Sequence, residues 1–177
     1  MASDLSYSLF DTPLGTCGIV WSANGIVAVQ LPEESDSSTR ARVARLYPAA
    51  AESHATAGIA AVVEDICALL RGEGITFSSA QLDLAAVPEF NRRVYDITRA
   101  IAPGSTSTYG TIAAQLGDPT LARAVGQALG QNPIPIIVPC HRVLAANGRI
   151  GGFSGAGGAE TTRRMLVIEG ALSDLFS

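Results

Sequence analysis

Cys140 and His141 place a thiol and an imidazole side by side, at the end of an apolar run that contains three prolines. A thiolate is a strong nucleophile, and a neighbouring imidazole can accept the proton that a neutral thiol must lose. Each proline fixes its own φ at about −65°, so the run at residues 132–139 can hold Cys140 in one place. A second interpretation stays open, because buried cysteines are common and most of them are unreactive.

The other residues that could support chemistry are few. The chain has three cysteines and two histidines, at Cys17, Cys67, Cys140, His54 and His141. An odd number of widely separated cysteines argues against disulfides and fits a reducing compartment. No C-x-x-C pair is present, so the sequence predicts no metal and no cofactor. There is no unbroken run of about 18 apolar residues, and the first residues do not resemble a signal peptide, so we expect a cytoplasmic protein.

Charged residues are unevenly distributed. The formal net charge is −4, but residues 1–88 carry four arginines and ten acidic residues, whereas residues 89–177 carry eight arginines and six acidic residues. The C-terminal half is therefore the candidate for binding a polyanion. All twelve Lys and Arg positions are Arg, which suits phosphate and base-edge recognition better than Lys does. A GC-biased genome would explain the absence of Lys equally well.

The elements that must position Cys140 differ between the two halves. In the first half, alternating apolar residues and an Asn24-Gly25 turn predict a small antiparallel sheet, with strands at 6–10, 18–22 and 25–30. Helical spacing follows at 39–46 and 56–71, and a further strand is predicted at 75–84. Near Pro88 the composition becomes helical and rich in Arg, so we place a domain boundary there, between domains 1–88 and 89–177.

The second half begins with three predicted helices. An amphipathic helix at 90–100 is followed by a helix at 109–116, and a third runs from Pro119 to about Gln131, with Asp118 as its cap. Two helices joined by a tight glycine turn form the helix-turn-helix pattern. That pattern alone is a weak indication of DNA binding, because many small helical domains share it.

The third helix is almost free of bulky side chains. Ala122, Ala124, Gly126, Ala128 and Gly130 leave Arg123 as its only charged residue. An interior glycine costs a helix about 1 kcal/mol relative to alanine, so a close approach to another molecule or element should offset that loss. The helix could enter a DNA minor groove, which is about 6 Å wide, or pack tightly on a neighbouring helix. Both interpretations are open at this point.

Five motifs then define a resemblance. They are Tyr109-Gly110-Thr111-Ile112-Ala113, Ala122-Arg123-Ala124-Val125-Gly126, Asn132 to Val143, Gly151-Gly152-Phe153-Ser154-Gly155, and Leu166-Val167-Ile168-Glu169-Gly170. In this order the chain resembles the O6-alkylguanine-DNA alkyltransferases, most specifically through Pro139-Cys140-His141-Arg142. The resemblance implies an α+β fold, in which a small antiparallel-sheet, ribonuclease-H-like α/β domain precedes a helical, winged helix-turn-helix-like DNA-binding domain.

The resemblance also implies the chemistry. A monomer would bind double-stranded DNA through the minor groove, turn out an O6-alkylguanine and transfer the alkyl group once to Cys140. His141 would act as base through a water, Glu169 would orient His141, and Asn132 would hold the turn. The resemblance leaves O4-alkylthymine open as a second substrate.

Binding roles follow from the same resemblance. Tyr109, Val143, Gly151 and Ser154 would line the pocket for the base. Arg123 would fill the space that the flipped base leaves, and the other residues implied to contact DNA are Ala122, Gly126 and Arg142.

The chain departs from the family at Tyr95, where Trp is usual, at Phe153, where Tyr is common, and at Thr162, where Lys is usual. We expect these departures to affect substrate range and rate. One alternative is a non-catalytic alkyltransferase-like protein that binds alkylated bases, but such proteins lack the acceptor cysteine that is present here as Cys140. A Cys-His hydrolase is a further alternative, but no oxyanion hole can be located in the sequence.

Overall fold

A computed structural model describes residues 4–151 and 158–173. Its principal sheet has four strands: β1 (Ser6–Thr12), β2 (Gly15–Ser22), β3 (Gly25–Gln30) and β4 (Ala51–Glu52). The strand order is β3-β2-β1-β4, with antiparallel pairing among the first three strands and parallel pairing between β1 and β4. The predicted antiparallel sheet is therefore present.

Two helices pack with this sheet because their apolar residues recur at helical spacing. Helix α1 (Asp36–Leu46) is capped by the Ser35 side chain, and α2 (Ala57–Leu70) is capped by Thr56. Each cap accepts a hydrogen bond from a first-turn amide that would otherwise lack a partner. Buried residues of the sheet and α1 form one core cluster, which consists of Tyr7, Val20, Ala28 and Val43.

The strand predicted at 75–84 is wrong. The segment is irregular and forms a single parallel bridge, from Leu82 to Ile26. A turn in which the Ala80 amide donates to the Phe77 carbonyl interrupts the extended backbone, so a continuous ladder cannot form. Some of its apolar side chains are buried individually, among them those of Phe77 and Ala80.

The second half contains the predicted helices, with α3 at Glu89–Arg99, α4 at Tyr109–Gln115 and α5 at Ala122–Gly130. Gly117 ends the turn after α4 at φ +98°, a conformation that glycine adopts without strain. Asp118 then caps a short 3₁₀ turn, Pro119–Leu121, that leads into α5. The remaining elements are β5 (Ser107–Thr108), β6 (Val143–Leu144), which pairs with β5, and α6 (Gly158–Ile168).

The chain divides into two compact units. The first comprises residues up to Ala85 together with Pro133–Pro135, and the second comprises Ala86–Asn132 and residues from Ile136 onward. The first unit holds its distant segment through a hydrogen bond from the Val29 amide of β3 to the Pro133 carbonyl, 3.0 Å long. In the described ranges, no helix is both long enough and apolar enough to cross a membrane. The α+β architecture agrees with the predicted fold class.

Candidate active site

Cys140 begins a 3₁₀ turn, Cys140–Arg142, whose backbone is closely determined. The Cys140 amide donates to the Val138 carbonyl over 2.8 Å, and the Arg142 amide donates to the Pro139 carbonyl over 2.9 Å. Upstream, Ile136 has φ +74°, which is rare for a β-branched residue, and its side chain is fully buried. Such backbone persists only where the surroundings over-determine it, so the approach to Cys140 is rigidly set.

A buried network of three side chains follows the cysteine. Glu169 accepts from His141 Nε2 at 2.8 Å and from Arg142 Nε and Nη2 at 2.9 and 2.7 Å. The side chains are 0%, 5% and 3% exposed for His141, Arg142 and Glu169, respectively. Arg142 Nη1 donates to the Ile101 carbonyl at 2.6 Å, so every guanidinium nitrogen is bonded. The turn is thus fixed to α6 and to the end of α3.

The protonation states of this network follow from its contacts. Burial by itself would raise the pKa of Glu169, but the hydrogen bonds from His141 and Arg142 and the positive charge of Arg142 outweigh it and lower that pKa to about 2. An ionised carboxylate only accepts, so the proton of His141 lies on Nε2 and Nδ1 carries a lone pair. Burial lowers the pKa of His141 from 6.5, which keeps the ring neutral at pH 7. Nδ1 is buried and has no hydrogen-bond partner within residues 4–151 and 158–173.

The thiol of Cys140 is strongly desolvated. The residue is only 9% exposed, and burial raises its pKa to about 11, against smaller lowering effects from Asn132 and from the backbone amides of Cys140 and His141. Asn132 is fixed in turn, because its side-chain amide donates to the Val138 carbonyl at 2.9 Å. The structure therefore brings Cys140, His141, Asn132 and Glu169 together, with a neutral thiol beside a neutral imidazole.

A cavity of about 20 Å³ adjoins the thiol. Three predicted pocket residues, Tyr109, Val143 and Gly151, line it together with Cys140. Gly151 lies directly against the Tyr109 hydroxyl, and a Cβ at this position would overlap the phenol, so only glycine fits. Burial, and secondarily the charge that Cys140 can carry, raises the pKa of Tyr109, which keeps its hydroxyl able to donate. Ser154, the fourth predicted residue, and Phe153 lie outside the described residues.

Helix α5 presents the predicted DNA-contacting residues on its outer side. Arg123 is exposed and Ala122 is partly exposed, whereas Val125, Ala128 and Leu129 are buried. A Cβ on Gly126 would meet only the Tyr109 ring at an ordinary 3.9 Å, and one on Gly130 would meet nothing within 4 Å. Tight packing against a neighbouring helix therefore does not require these glycines, and the interpretation as a contact surface for another molecule is favoured.

The predicted DNA contact of Arg142 is corrected by the structure. Arg142 is 4% exposed, and its three guanidinium nitrogens are bonded to Glu169 and the Ile101 carbonyl. These bonds use three of the five N–H groups of the guanidinium, and burial keeps the other two away from a phosphate. The position of Arg142 in the motif, next to His141, suggests a contact with a DNA phosphate. The group that it binds is instead Glu169, which lies 27 residues further along the chain.

Sequence reasoning also missed contributors to the site. Thr162 lines the cavity and is 3% exposed, and Tyr95, 1% exposed, donates from its hydroxyl to the Ala128 carbonyl of α5 at 2.7 Å. Both positions had been singled out only as departures from the family. In the described part of the chain, no cluster of three or more His, Cys, Asp or Glu side chains could hold a metal ion.

Comparison with known proteins agrees with this geometry. Residues 89–171 match the family model described as 6-O-methylguanine DNA methyltransferase, DNA binding domain. A methylated-DNA–protein-cysteine methyltransferase of Methanothermobacter thermautotrophicus is 32% identical over 163 residues, which cover 89% of this chain and 81% of the relative. The Mycobacterium bovis protein of the same name is 33% identical over 168 residues, covering 93% and 92% of the two chains.

A solved structure extends the similarity to three dimensions. The Mycobacterium tuberculosis protein OGT, crystallised in complex with DNA, superposes with a TM-score of 0.76 at 32% identity and covers 96% of this chain and 97% of that one. The chain belongs to the methylated-DNA–protein-cysteine methyltransferase family.

Proposed function

We propose that this chain repairs alkylated DNA by transferring the alkyl group from O6 of a damaged guanine to Sγ of its own Cys140. The observation that carries the proposal is the buried thiol, which shares a cavity with Tyr109 and is followed directly by the His141–Glu169 pair. The relatives named methylated-DNA–protein-cysteine methyltransferases support the same reaction. The non-catalytic alternative is disfavoured, because the acceptor cysteine is present.

The proton of the thiol must leave before or during attack. Nδ1 of His141 is the acceptor that the network provides, directly or through a water, and Glu169 stabilises the imidazolium that results. Sulfur then forms a bond to the alkyl carbon as the bond from that carbon to O6 breaks, and the electron pair passes to the base. A proton is then delivered to the base and balances the one lost by the thiol. The product is an unmodified guanine that remains part of the DNA.

The product explains why each molecule acts once. A thioether has no acyl or phosphoryl centre that water could attack readily, so hydrolysis does not return Cys140 to the thiol. The protein is therefore a stoichiometric acceptor and needs no cofactor.

Recognition of DNA is assigned to the second unit. The DNA complex of the M. tuberculosis relative supports DNA as the partner. We assign the contact to the minor groove, because the exposed side of α5 has small residues that can approach closely and one arginine, Arg123, that can enter the base stack. We propose that the protein binds as a monomer. Extrusion of the damaged base brings O6 within reach of a thiol that is itself buried.

Intact-mass measurement tests the reaction. Incubation with an equimolar duplex that contains O6-methylguanine should add the mass of one methyl group, located by peptide mapping at Cys140. Cys140→Ser should bind the same duplex without gaining mass. Cys17 and Cys67 serve as internal controls, because both belong to the first unit and neither lines the cavity that contains Cys140. An unchanged mass of the folded wild-type protein would overturn the proposal.

A further inference from the structure

Thr162 of α6 carries a hydroxyl to which no other described residue forms a hydrogen bond. The residue is 3% exposed and lines the cavity that also contains Cys140, Tyr109 and Gly151. Its Oγ1 is fully buried and has no hydrogen-bond partner among the residues that the structure describes. A buried hydroxyl without a partner is destabilising, and valine would fill nearly the same volume without that penalty.

A second threonine shows what a buried helical threonine does when its role is structural. Thr98 of α3 is 0% exposed, and its hydroxyl donates to the Val94 carbonyl, four residues earlier, at 2.8 Å. That bond is the ordinary solution for threonine inside a helix. Thr162 lies within a helix too, yet it makes no such bond. The difference indicates that its hydroxyl is kept for a group that enters the cavity.

We propose that the Thr162 hydroxyl donates a hydrogen bond to the O6/N7 edge of the alkylated purine and so contributes to substrate specificity; the inference rests on the proposed function. Two considerations select this edge. Cys140 lines the same cavity and must reach the carbon attached to O6, so the neighbouring wall faces the same end of the base. O6 and N7 are both acceptors, and negative charge develops on the base as O6 is released, which a buried donor stabilises.

Thr162→Val tests the contact, with Thr98→Val as the matched control. We expect Thr162→Val to lower the second-order rate constant for methyl transfer about tenfold, equivalent to 1.4 kcal/mol, without lowering the melting temperature. Thr98→Val should lower the melting temperature, because it removes a satisfied bond, and leave the rate constant within about twofold. Thr162→Ser keeps the hydroxyl and should retain most of the rate.

Substrate analogues locate the acceptor. In duplexes that carry S6-methyl-6-thioguanine, whose sulfur accepts weakly, or the 7-deaza analogue of O6-methylguanine, the ratio of wild-type to Thr162→Val rates should collapse toward one for at least one analogue. An unchanged ratio with both analogues would overturn the inference, as would a fall in melting temperature like that of Thr98→Val. If wild-type protein gains no methyl mass, the proposed function fails; if it does and Thr162→Val reacts equally fast, only this inference fails.

Discussion

The thiol of Cys140 and the imidazole of His141 are both buried, and burial acts on them in opposite directions. It raises the pKa of Cys140 to about 11 and lowers that of His141 below 6.5, so both groups are neutral at pH 7. A neutral thiol reacts only if its proton is removed as sulfur attacks. Under the proposed function, we therefore expect the reactivity of Cys140 to depend on the lone pair of His141 and not on a resting thiolate.

This coupling predicts an unusual pH profile. The rate constant for methyl transfer should be level between pH 6.5 and 9.0, the ordinary values for imidazole and thiol, because neither group titrates there in the folded protein. It should fall only at a pH below the ordinary imidazole range, because burial lowers the pKa at which His141 takes up a proton and can no longer act as a base. Single-turnover rates across this range, with circular dichroism at each pH as the folding control, make the measurement. A rise centred on the ordinary thiol pKa would contradict the role of His141.

Arg142 stabilises the same network by pairing with the buried carboxylate of Glu169. Arg142→Ala leaves the buried carboxylate of Glu169 without its fork partner, so we expect a loss of about 3–5 kcal/mol in the free energy of unfolding by urea. Arg163→Ala is the control, since Arg163 pairs with Glu160 at 2.8 Å but the two side chains are 28% and 60% exposed. That exposed pair is screened by water and should contribute far less to stability than the buried one. Loss of DNA affinity with unchanged stability in Arg142→Ala would restore the DNA-contact interpretation.

At the scale of elements, α5 contains two glycines, Gly126 and Gly130, at which an added Cβ would meet no close neighbour. Gly126→Ala adds a methyl group that meets only the Tyr109 ring at 3.9 Å. We expect it to stabilise the fold by up to about 1 kcal/mol, yet to raise the Kd for duplex DNA about tenfold, equivalent to 1.4 kcal/mol, because the outer side of α5 no longer fits closely into a groove.

Gly58→Ala in α2 provides the matched control, because a Cβ there meets nothing within 4 Å and a Cβ at Gly126 meets only the Tyr109 ring. Chemical unfolding and fluorescence anisotropy with an undamaged duplex would measure both variants. Gly58→Ala should change stability in the same direction and leave DNA affinity unchanged. Equal affinity of Gly126→Ala and wild type would remove the contact surface from α5.

Elements with strong local signals could be predicted from the sequence. The Asn24-Gly25 turn and the alternation after it placed β3 at Gly25–Gln30, and Asp118 and Pro119 marked the start of the turn before α5. Residues 75–84 alternate as well, but a turn at Phe77–Ala80 breaks the extended backbone, and periodicity does not register such turns. The pairing of Arg142 with Glu169, and the lack of a partner for the Thr162 hydroxyl among the described residues, depend on tertiary placement, which spacing along the chain does not encode.

At the scale of the whole molecule, the two halves of the sequence are not two separate pieces of structure. Pro133–Pro135 belong to the first unit, although they lie between α5 and the 3₁₀ turn that carries Cys140. That residues 1–88 and 89–177 form two independent domains remains a prediction. We infer that the first unit influences the site, because it holds a segment that ends five residues before the nucleophile.

Separate fragments test that role. A fragment of residues 86–177 lacks β3, so the Pro133 carbonyl loses the Val29 amide that binds it at 3.0 Å. A displacement of about 1 Å near a reacting group can cost about 100-fold in rate. We therefore expect the fragment to transfer methyl groups at least about tenfold more slowly than the full chain. Addition of residues 1–85 as a second fragment should recover part of the rate, whereas an unrelated acidic protein of similar size should not. A fragment as fast as the full chain, with the same melting behaviour around Cys140, would show that the prolines alone set the position of the thiol.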